Sequence, residues 1–381
     1  MSVAARMRIP LSAPEITEAD IEAVTRVLRG SSLSLGPQME AFESGIREYV
    51  GAPYAVAVNS GTSGLHLLMR ALGIGEGAEV IVPSFAFVAA ANVVCYERAV
   101  PVFAEIEPET LTLDPQKIEA AISPRTRAII LVHTFGYPAD ASAIKAIAKR
   151  HDLLVIEDAC EAFGAEVDGQ KVGTLGDAGV FAFYPNKQVT TGEGGVVVTH
   201  DPEIAASLRS LRNQGRRDAQ EWLQHAEIGY SYRLSDIHCA LGAEQLKRID
   251  SILRRRECVA QRYHQELNHH PGLILPPLTL PKRKISWFVY VVQLAGRFTR
   301  EDRDWILEQM LRQEIGCGRY FAPIHLQPAY RPAVFRKNDL ALTERIAERT
   351  LALPFFNQLE NGQIAEVSET LKELLGKVAA R

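Results

Sequence analysis

Short apolar runs alternate with amphipathic stretches along the first 200 residues. Runs such as Tyr54 to Val58 and Val196 to Thr199 are rich in β-branched or aromatic residues, which favours buried strands. Stretches such as Ala141 to His151 place apolar residues three and four positions apart, which predicts helices. This alternation is typical of an α/β fold in which helices cover both faces of a mostly parallel sheet. In such sheets ligands bind beyond the carboxyl ends of the strands, so the residues after each strand are the candidates for chemistry.

The predicted elements of this first part follow one another along the chain. Strands are expected at 54–58, 79–82, 100–103, 128–133, 153–157, 179–183 and 196–199. Helices are expected at 17–29, 38–50, 65–72, 87–97, 115–122, 141–151 and 202–211.

The pattern changes after about residue 250. Ser235-Asp236 is a capping pair, and it predicts one long helix toward Tyr263. A proline cluster from Pro271 to Pro281 follows, and beyond it one strand and three helices are expected, at 288–294, 300–313, 339–351 and 361–377. At 381 residues the chain exceeds one ordinary domain. We therefore predict a large domain over residues 1–250 and a smaller α+β domain over residues 251–381.

Composition and charge exclude several classes of protein. Hydrophobic residues make up 47% and charged residues 23%, as in a soluble globular protein with a sizeable core. The net charge of −4 gives no reason to expect nucleic-acid binding. The longest apolar stretch, Phe85 to Tyr96, contains Asn92 and is too short to span a bilayer. We expect neither a nucleic-acid partner nor a membrane partner.

The cysteines indicate the compartment. All five are scattered and no pair forms a CxxC motif, which favours reduced thiols over a disulfide frame or a zinc site; they are Cys95, Cys160, Cys239, Cys258 and Cys317. Met1 to Arg8 shows no apolar leader segment. The sequence therefore predicts a cytoplasmic protein without a bound metal.

One lysine stands at a position suited to chemistry. The predicted strand Gly179 to Phe183 is broken by Tyr184-Pro185-Asn186, and Lys187 follows directly, before the turn Gly192 to Gly195. A partly desolvated amine between a strand end and a glycine turn can act as a nucleophile. On this stretch alone, a surface lysine beside a loop is the more common explanation.

Three further strand ends carry candidate residues. The stretch Ser60-Gly61-Thr62-Ser63-Gly64 lies between a strand and a helix, where backbone N–H groups and hydroxyls suit a phosphate, although plain N-capping also explains it. Glu157 and Asp158 close an apolar run, so a carboxylate there is suited to a base, a metal ligand or a partner of a cationic ring nitrogen. An N-cap is the alternative. Phe85 and Phe87 follow another strand and suit either stacking on a flat ligand or core packing.

Together these features match what pyridoxal phosphate requires: an anion site, a stacking face, an acid for the pyridine nitrogen and an amine. The chain resembles the DegT/DnrJ/EryC1/StrS family of sugar aminotransferases, which have the aspartate aminotransferase (type I) fold. The resemblance covers nearly the whole length through motifs that occur in order: SLSLGP at 32–37, NSGTSGLHL at 59–67, VIVPSFAFVA at 80–89, PRTRAIILVHTFG at 124–136, VIEDACEAFGA at 155–165, FAFYPNKQVTTGEGG at 181–195, GYSYRLSDIHCALGAEQL at 229–246 and YFAPIHLQPAY at 320–330.

The resemblance implies roles for particular residues. Lys187 matches the lysine that binds pyridoxal 5'-phosphate covalently, and Asp158 matches the acid that keeps the pyridine nitrogen protonated. Phe87 matches the aromatic residue that stacks on the ring, and the turn Gly61-Thr62-Ser63 matches the phosphate site. Glu161 falls where the family often has Gln, His or Glu near the phenolic edge of the cofactor.

The resemblance also implies substrates and a partner subunit. Glutamate is the expected amino donor, and a keto-sugar attached to a nucleotide is the expected acceptor, entering near His325, Tyr320 and Arg233. A homodimer with a shared active site is expected. Two departures from the family stand out, since Ala182 replaces a frequent phosphate-binding serine, and Ser231 replaces an asparagine that reaches the neighbouring subunit's phosphate.

Two alternatives remain at the level of sequence. Family members that use pyridoxamine phosphate to dehydrate sugars carry histidine in place of the lysine, so Lys187 argues against that reaction. A non-catalytic regulatory protein that retains the fold is the second alternative, and the presence of Lys187 and Asp158 disfavours it.

Overall fold

A computed structural model of the chain describes residues 7–217, 224–331 and 335–380. Within these residues the strands are β1 (Tyr54–Val58), β2 (Glu79–Pro83), β3 (Val100–Ala104), β4 (Thr126–Val132), β5 (Leu154–Asp158), β6 (Glu166–Val167), β7 (Gln170–Lys171), β8 (Ala178–Ala182), β9 (Gly195–Thr199), β10 (Leu273–Ile274), β11 (Arg283–Lys284), β12 (Tyr290–Leu294), β13 (Arg336–Lys337) and β14 (Thr350–Leu353).

The helices of the described residues are α1 (Glu18–Leu28), α2 (Pro37–Val50), α3 (Gly61–Ala71), α4 (Ala89–Tyr96), α5 (Pro115–Ile118), α6 (Ala141–Arg150), α7 (Pro202–Arg212), α8 (Asp236–Leu246), α9 (Ile249–Leu267), α10 (Arg300–Arg312), α11 (Ala341–Arg349) and α12 (Asn361–Ala379). Helix α1 begins at the predicted cap, because the Thr17 side chain accepts the N–H of Asp20 while the Asp20 carboxylate accepts the N–H of Thr17.

The large sheet has eight strands in the order β1-β9-β8-β5-β4-β2-β3-β13. Strand β9 is antiparallel to β1 and β8, whereas the pairs from β8 to β13 are parallel. Alternate residues of a strand enter different cores, so Ala55 and Ala57 pack on one face while Val56 and Val58 pack on the other. The predicted α/β class with a mostly parallel sheet covered by helices is confirmed.

A third hydrophobic core holds the C-terminal part together. It joins the three-stranded sheet β10-β12-β14 to helices α9, α10 and α12. Three backbone pairings cross the predicted boundary near residue 250, since Ile9 bridges Ile315, β11 pairs with β6, and β13 pairs with β3. The division into residues 1–250 and 251–381 stays a prediction.

The prediction of one long helix from Ser235 toward Tyr263 is wrong. Helices α8 and α9 are separated at Lys247-Arg248, where Arg248 has φ −119° and ψ 16°. The Arg248 guanidinium binds the carboxylates of Glu15 and Asp20 at 2.6 and 2.5 Å. These contacts occur at the break between the two helices. Because Glu15 and Asp20 are distant from Arg248 in sequence, the helical periodicity of residues 235–263 does not reveal them.

The predicted helix from Asp339 to Leu351 is wrong at its end. Helix α11 ends at Arg349, and Thr350–Leu353 forms β14 instead, antiparallel to β12. All four residues of β14 are buried, although β14 lies at the edge of the three-stranded sheet β10-β12-β14. The predicted irregular stretch from Asn213 to Gly229 includes residues 218–223, which lie outside the described residues, as do residues 1–6 of the N-terminal stretch.

Three findings bear on the predicted class of protein. No helix of the described residues is long and apolar enough to cross a membrane. The five cysteines are all unpaired. Within the described part of the chain, no group of three or more His, Cys, Asp or Glu side chains could hold a metal ion.

Candidate active site

Lys187 lies in a loop that connects the antiparallel strands β8 and β9. The loop folds back on itself, because the N–H of Phe183 donates to Gly194 O and the N–H of Thr191 donates to Phe183 O, both at 2.9 Å. The Lys187 side chain is 12% exposed. A Cβ atom on Gly195 would lie 2.7 Å from the carbonyl of Ser60, so glycine is needed for the loop to approach the start of α3.

A cavity of about 500 Å³ opens at this edge of the sheet. The residues around it come from the ends of β1, β2, β4, β5 and β8 and from two C-terminal segments: Ser60, Gly61, Thr62, Leu65, Phe87, Ala89, Val132, Asp158, Cys160, Glu161, Ala182, Tyr184, Asn186, Lys187, Glu193, Gly194, Phe288, Tyr320 and Phe321. The structure therefore brings together six of the eight predicted cofactor residues at the place where strand ends meet: Gly61, Thr62, Phe87, Asp158, Glu161 and Lys187.

The Lys187 amine has two close neighbours. Its Nζ lies 3.6 Å from Glu161 Oε1 and 4.0 Å from the centre of the Phe288 ring. The other carboxylate oxygen of Glu161 accepts the backbone N–H of Phe135 at 2.9 Å. The amine is thus placed between a carboxylate and an aromatic face, with little exposure to water.

Asp158 is the last residue of β5 and is 7% exposed. Its Oδ1 accepts the backbone N–H of Cys160 at 3.1 Å, and its carbonyl oxygen accepts the N–H of His133 from the end of β4 at 3.0 Å. Asp158 and Lys187 have opposite effects on the Cys160 thiol. Burial raises the pKa of Cys160, the Asp158 charge raises it further, and the Lys187 charge lowers it. Both Asp158 and Lys187 line the cavity of about 500 Å³.

Helix α3 points its N-terminus at the same cavity. Ser60 caps the helix, accepting the N–H of Ser63 at 3.0 Å, and Gly61 and Thr62 line the cavity. A Cβ on Gly61 would lie 2.7 Å from Cys160 Sγ and 2.8 Å from the Ala182 Cβ. Backbone N–H groups and the positive end of an eleven-residue helix suit a phosphate here.

The walls suit a flat ring. Phe87 is 60% exposed although it is a large aromatic residue, and Val132 and Ala182 add apolar surface. Asn186 Oδ1 borders the cavity region as a buried acceptor with no hydrogen-bond partner among the described residues. An exposed aromatic face, a helix N-terminus, an acid and a shielded amine around one cavity fit pyridoxal phosphate by shape and donor chemistry.

The pKa values of Glu157 and Glu161, at the end of β5 and just after it, shift in opposite directions. Burial raises the pKa of Glu161, and it outweighs the opposing effects of Lys187 and the Phe135 N–H. Burial also acts to raise the pKa of Glu157, but hydrogen bonds from His133 and from the backbone of Gly176 and Gly173 outweigh it and hold that pKa below its usual value.

Several predicted residues lie elsewhere in this chain. Ser231 is exposed and accepts a hydrogen bond from Arg233 Nη2 at 2.8 Å, and neither residue lines the cavity. The Ser63 hydroxyl bonds to Ser60 Oγ at 2.9 Å. The side chain of His325 is buried between Ser84 Oγ, 2.6 Å away, and Glu344 Oε1, 3.0 Å away, rather than in the cavity. Tyr320 does line it.

Sequence reasoning gave no role to several residues of the cavity wall, among them Phe288, Phe321, Asn186 and Cys160. Phe288 and Phe321 come from the C-terminal part, where their motifs gave no sign of which side chains face inward. Asn186 directly precedes Lys187, and Cys160 stands two residues after Asp158. The same rule of strand ends that indicated Lys187 and Asp158 covers these two, but their side-chain types suggested no chemistry.

Comparisons with known proteins find similar sequences and similar structures. A model of the DegT/DnrJ/EryC1/StrS aminotransferase family matches residues 14–372. The GDP-perosamine synthase of Caulobacter vibrioides is 38% identical over 370 residues, which cover 97% of this chain and 98% of that protein.

Solved structures show the same fold. The aminotransferase TlmJ from Streptoalloteichus hindustanus is 32% identical, with a TM-score of 0.91 over 97% of this chain and 100% of that one. Spr1654 from Streptococcus pneumoniae, in its PLP-form, is 27% identical, with a TM-score of 0.92 over 97% and 99% of the two chains.

Proposed function

The chain belongs to the DegT/DnrJ/EryC1/StrS aminotransferase family, and from this premise we propose that it uses pyridoxal phosphate to move an amino group from glutamate to a nucleotide-linked keto-sugar. The observation that carries the proposal is the single cavity that Lys187, Asp158 and the N-terminus of α3 share. The PLP-form of Spr1654, with the same fold, supports the choice of cofactor.

The positions of the side chains around the cavity suggest the role of each residue. Lys187 Nζ is the amine that would hold the cofactor and, once released, move the proton of the donor's α-carbon. Asp158 would hold a proton on the ring nitrogen, and the first turn of α3 would bind the phosphate. Bound pyridoxal phosphate would supply an electron sink that stabilises negative charge next to the transferred nitrogen.

Glu161 and Phe288 shape the proton transfers of Lys187. Glu161 Oε1 lies 3.6 Å from Nζ, close enough to exchange a proton through small movements of either side chain. The Phe288 ring covers another side of Nζ at 4.0 Å and excludes water from it. Shielding of this kind limits loss of the proton to solvent between the two half-reactions.

Spectroscopy tests the proposal directly. The purified protein, loaded with pyridoxal phosphate, should be yellow, and glutamate should bleach that absorbance because the amino group moves onto the cofactor. A panel of 3-keto and 4-keto nucleotide sugars should then restore the colour. GDP-linked sugars should be tested first, because one of the related proteins is named GDP-perosamine synthase.

The outcomes separate this proposal from its rivals. Cofactor binding without any response to glutamate or other amino donors would favour a regulatory protein. Loss of a sugar hydroxyl without amine transfer, starting from pyridoxamine phosphate, would favour a dehydratase. Restoration of the colour by a keto-sugar, with an amino sugar as product, supports the aminotransferase.

A further inference from the structure

A buried arginine lies behind the cavity wall that covers Lys187. Arg256 of α9 is 2% exposed, and its Nε and Nη2 donate to the carbonyl oxygens of Trp287 and Phe288, both at 2.7 Å. Its Nη1 donates to Asn357 Oδ1 at 2.9 Å. Burial lowers the pKa of Arg256 to about 9, so the side chain is still a cation at neutral pH.

The acceptors of this arginine are unusual. The ion pairs found among the described residues include none between Arg256 and a carboxylate. Burying a cation against neutral oxygens is unfavourable unless its donors are well bonded. Arginine suits this place because its planar fork can reach two successive carbonyl groups at once. The bonds fix the backbone direction of residues 287 and 288.

The same segment is bonded from its other side to the loops that follow β4, β5 and β8. The N–H of Ser286 donates to Gly136 O at 3.0 Å, and Ser286 Oγ donates to Phe163 O at 2.6 Å. Gln188, next to Lys187, donates to Ser286 O at 3.0 Å. A Cβ on Gly136, which has φ +89°, would lie 1.8 Å from Ser286 O, so only glycine permits this approach. Residues 286–288 are therefore held between two parts of the molecule.

The held segment determines what Lys187 faces. The Phe288 ring is 2% exposed and its centre lies 4.0 Å from Lys187 Nζ. The face of an aromatic ring attracts an ammonium group and keeps water away from it. Because side-chain direction follows the backbone, a shift at residues 287–288 would move the ring off the amine.

We propose that Arg256 is a positioning residue for Lys187, because by holding the Trp287 and Phe288 carbonyls it keeps the Phe288 ring over Nζ. The proposal deepens the proposed function, since it rests on Lys187 being the reacting amine. Its geometric part concerns only this chain and is measurable in the absence of any cofactor.

The test measures how fast the Lys187 amine is modified in the cofactor-free protein. Cyanate carbamylates accessible amines, and peptide mass spectrometry gives the rate at Lys187 relative to Lys282, whose side chain is 83% exposed. Arg256→Met should speed modification of Lys187 by about two- to fivefold, the factor that corresponds to a lost ring–ammonium contact. Arg256→Lys, which retains a donor for one carbonyl, should give an intermediate rate.

Arg303 provides the matched control. It is 4% exposed and donates to the Ala347 and Thr350 carbonyls at 3.1 and 3.0 Å, within the C-terminal core and outside the cavity. Arg303→Met should lower stability but leave the rate at Lys187 at the wild-type value. Equal rates in wild type and Arg256→Met, or an equal rise in Arg303→Met, would overturn the proposal. Should Arg256→Met not fold, a wild-type rate in Arg256→Lys would overturn it.

A second readout separates positioning from a purely structural role. In the holoenzyme Arg256→Lys should lower kcat for the reaction with glutamate while leaving its KM nearly unchanged, because the donor's own contacts are intact. A change in KM alone contradicts the proposal. If the wild-type protein gives no response to any amino donor, the proposed function fails, while the carbamylation rates still decide the role of Arg256.

Discussion

Glu157 and Glu161, four residues apart at the end of β5, show how one structure treats the same side chain in two ways. Glu157 is fully buried and accepts hydrogen bonds from His133 Nε2 at 2.9 Å and from the N–H groups of Gly173, Leu175 and Gly176. The bond that His133 Nδ1 accepts from Ala139 N–H fixes the ring proton on Nε2.

Glu161 has fewer partners. It accepts one backbone N–H, from Phe135, and faces Lys187 across 3.6 Å. The difference teaches that burial alone does not determine whether a carboxylate is charged. The number of hydrogen-bond donors around it also matters. On this basis Glu157 is an anion that holds loops together, whereas Glu161 keeps its proton to a higher pH than an ordinary carboxyl group does.

The largest expected effect is the loss of activity when Lys187, the proposed reacting amine of the cavity, is removed. Lys187→Ala should reduce amino transfer by at least about 10³-fold, because it removes the proposed acid–base amine. Lys171→Ala is the matched control, because Lys171 is also partly buried and pairs with a glutamate, Glu166, at 2.7 Å. Steady-state rates with glutamate and a keto-sugar measure both variants. Substantial transfer by Lys187→Ala would refute its role.

Glu157→Ala should mainly affect stability. It leaves three backbone donors and one imidazole without their acceptor, and removing one member of a buried charged network costs about 3–5 kcal/mol. Urea unfolding of the cofactor-free protein measures the loss. Glu308→Ala is the control, because Glu308 forms an exposed pair with Arg312, and its stability should change little. A loss no greater than that of the control would break the comparison between the two glutamates.

The pH dependence of stability tests the opposite pKa shifts. A raised pKa in the folded state means that Glu161 stabilises the protein at low pH and that this contribution is lost as pH rises through the folded pKa. Glu161→Gln should therefore gain stability relative to wild type as pH increases from about 4 to 8. Urea midpoints across that range measure the difference.

Glu157→Gln should show the opposite trend. Its depressed folded pKa means that the carboxylate stabilises the protein above the unfolded-state pKa of about 4.3, and that this contribution is lost as pH falls through the folded pKa. The deficit of the variant should therefore shrink toward acid pH. Parallel pH curves for the two glutamine variants would contradict the contrast.

Sequence predicted the parts of the site that local rules govern. Lys187 and Asp158 follow buried strands, and the carboxyl ends of neighbouring strands meet in space, so their approach was predictable. Phe288 was not, because it stands at the start of a predicted strand, and its backbone is held by hydrogen bonds with Arg256 and Phe135, which are distant in sequence. Long-range contacts of this kind leave no periodic signal in the chain.

The same limit explains the errors in the fold. The break between α8 and α9 coincides with the ion pairs of Arg248 with Glu15 and Asp20, more than 200 residues away in sequence. For His325 the alternatives were substrate binding and a purely local hydrogen-bonding role, and the structure shows its ring nitrogens hydrogen-bonded to Ser84 and Glu344. A role for it in substrate binding stays a prediction, as do those of Ser231 and Arg233.

The smallest expected effect concerns the phosphate side of the cavity. Ala182 stands where the family often has serine, and its Cβ lies 2.8 Å from the position that a Cβ on Gly61 would occupy, beside the first turn of α3. Ala182→Ser would place a hydroxyl next to these N–H groups, where one added hydrogen bond contributes about 0.5–1.5 kcal/mol. Pyridoxal phosphate should therefore bind the variant about two- to tenfold more tightly.

Titrating the cofactor-free protein with pyridoxal, which lacks the phosphate, provides the control for that gain. Its affinity should be the same for wild type and Ala182→Ser, because the new hydroxyl has no phosphate oxygen to contact. Equal improvement for both ligands would mean that the hydroxyl acts on the ring or on the cavity shape. In that case the first turn of α3 would not be the phosphate site, and the assignment of Gly61 and Thr62 would fall with it.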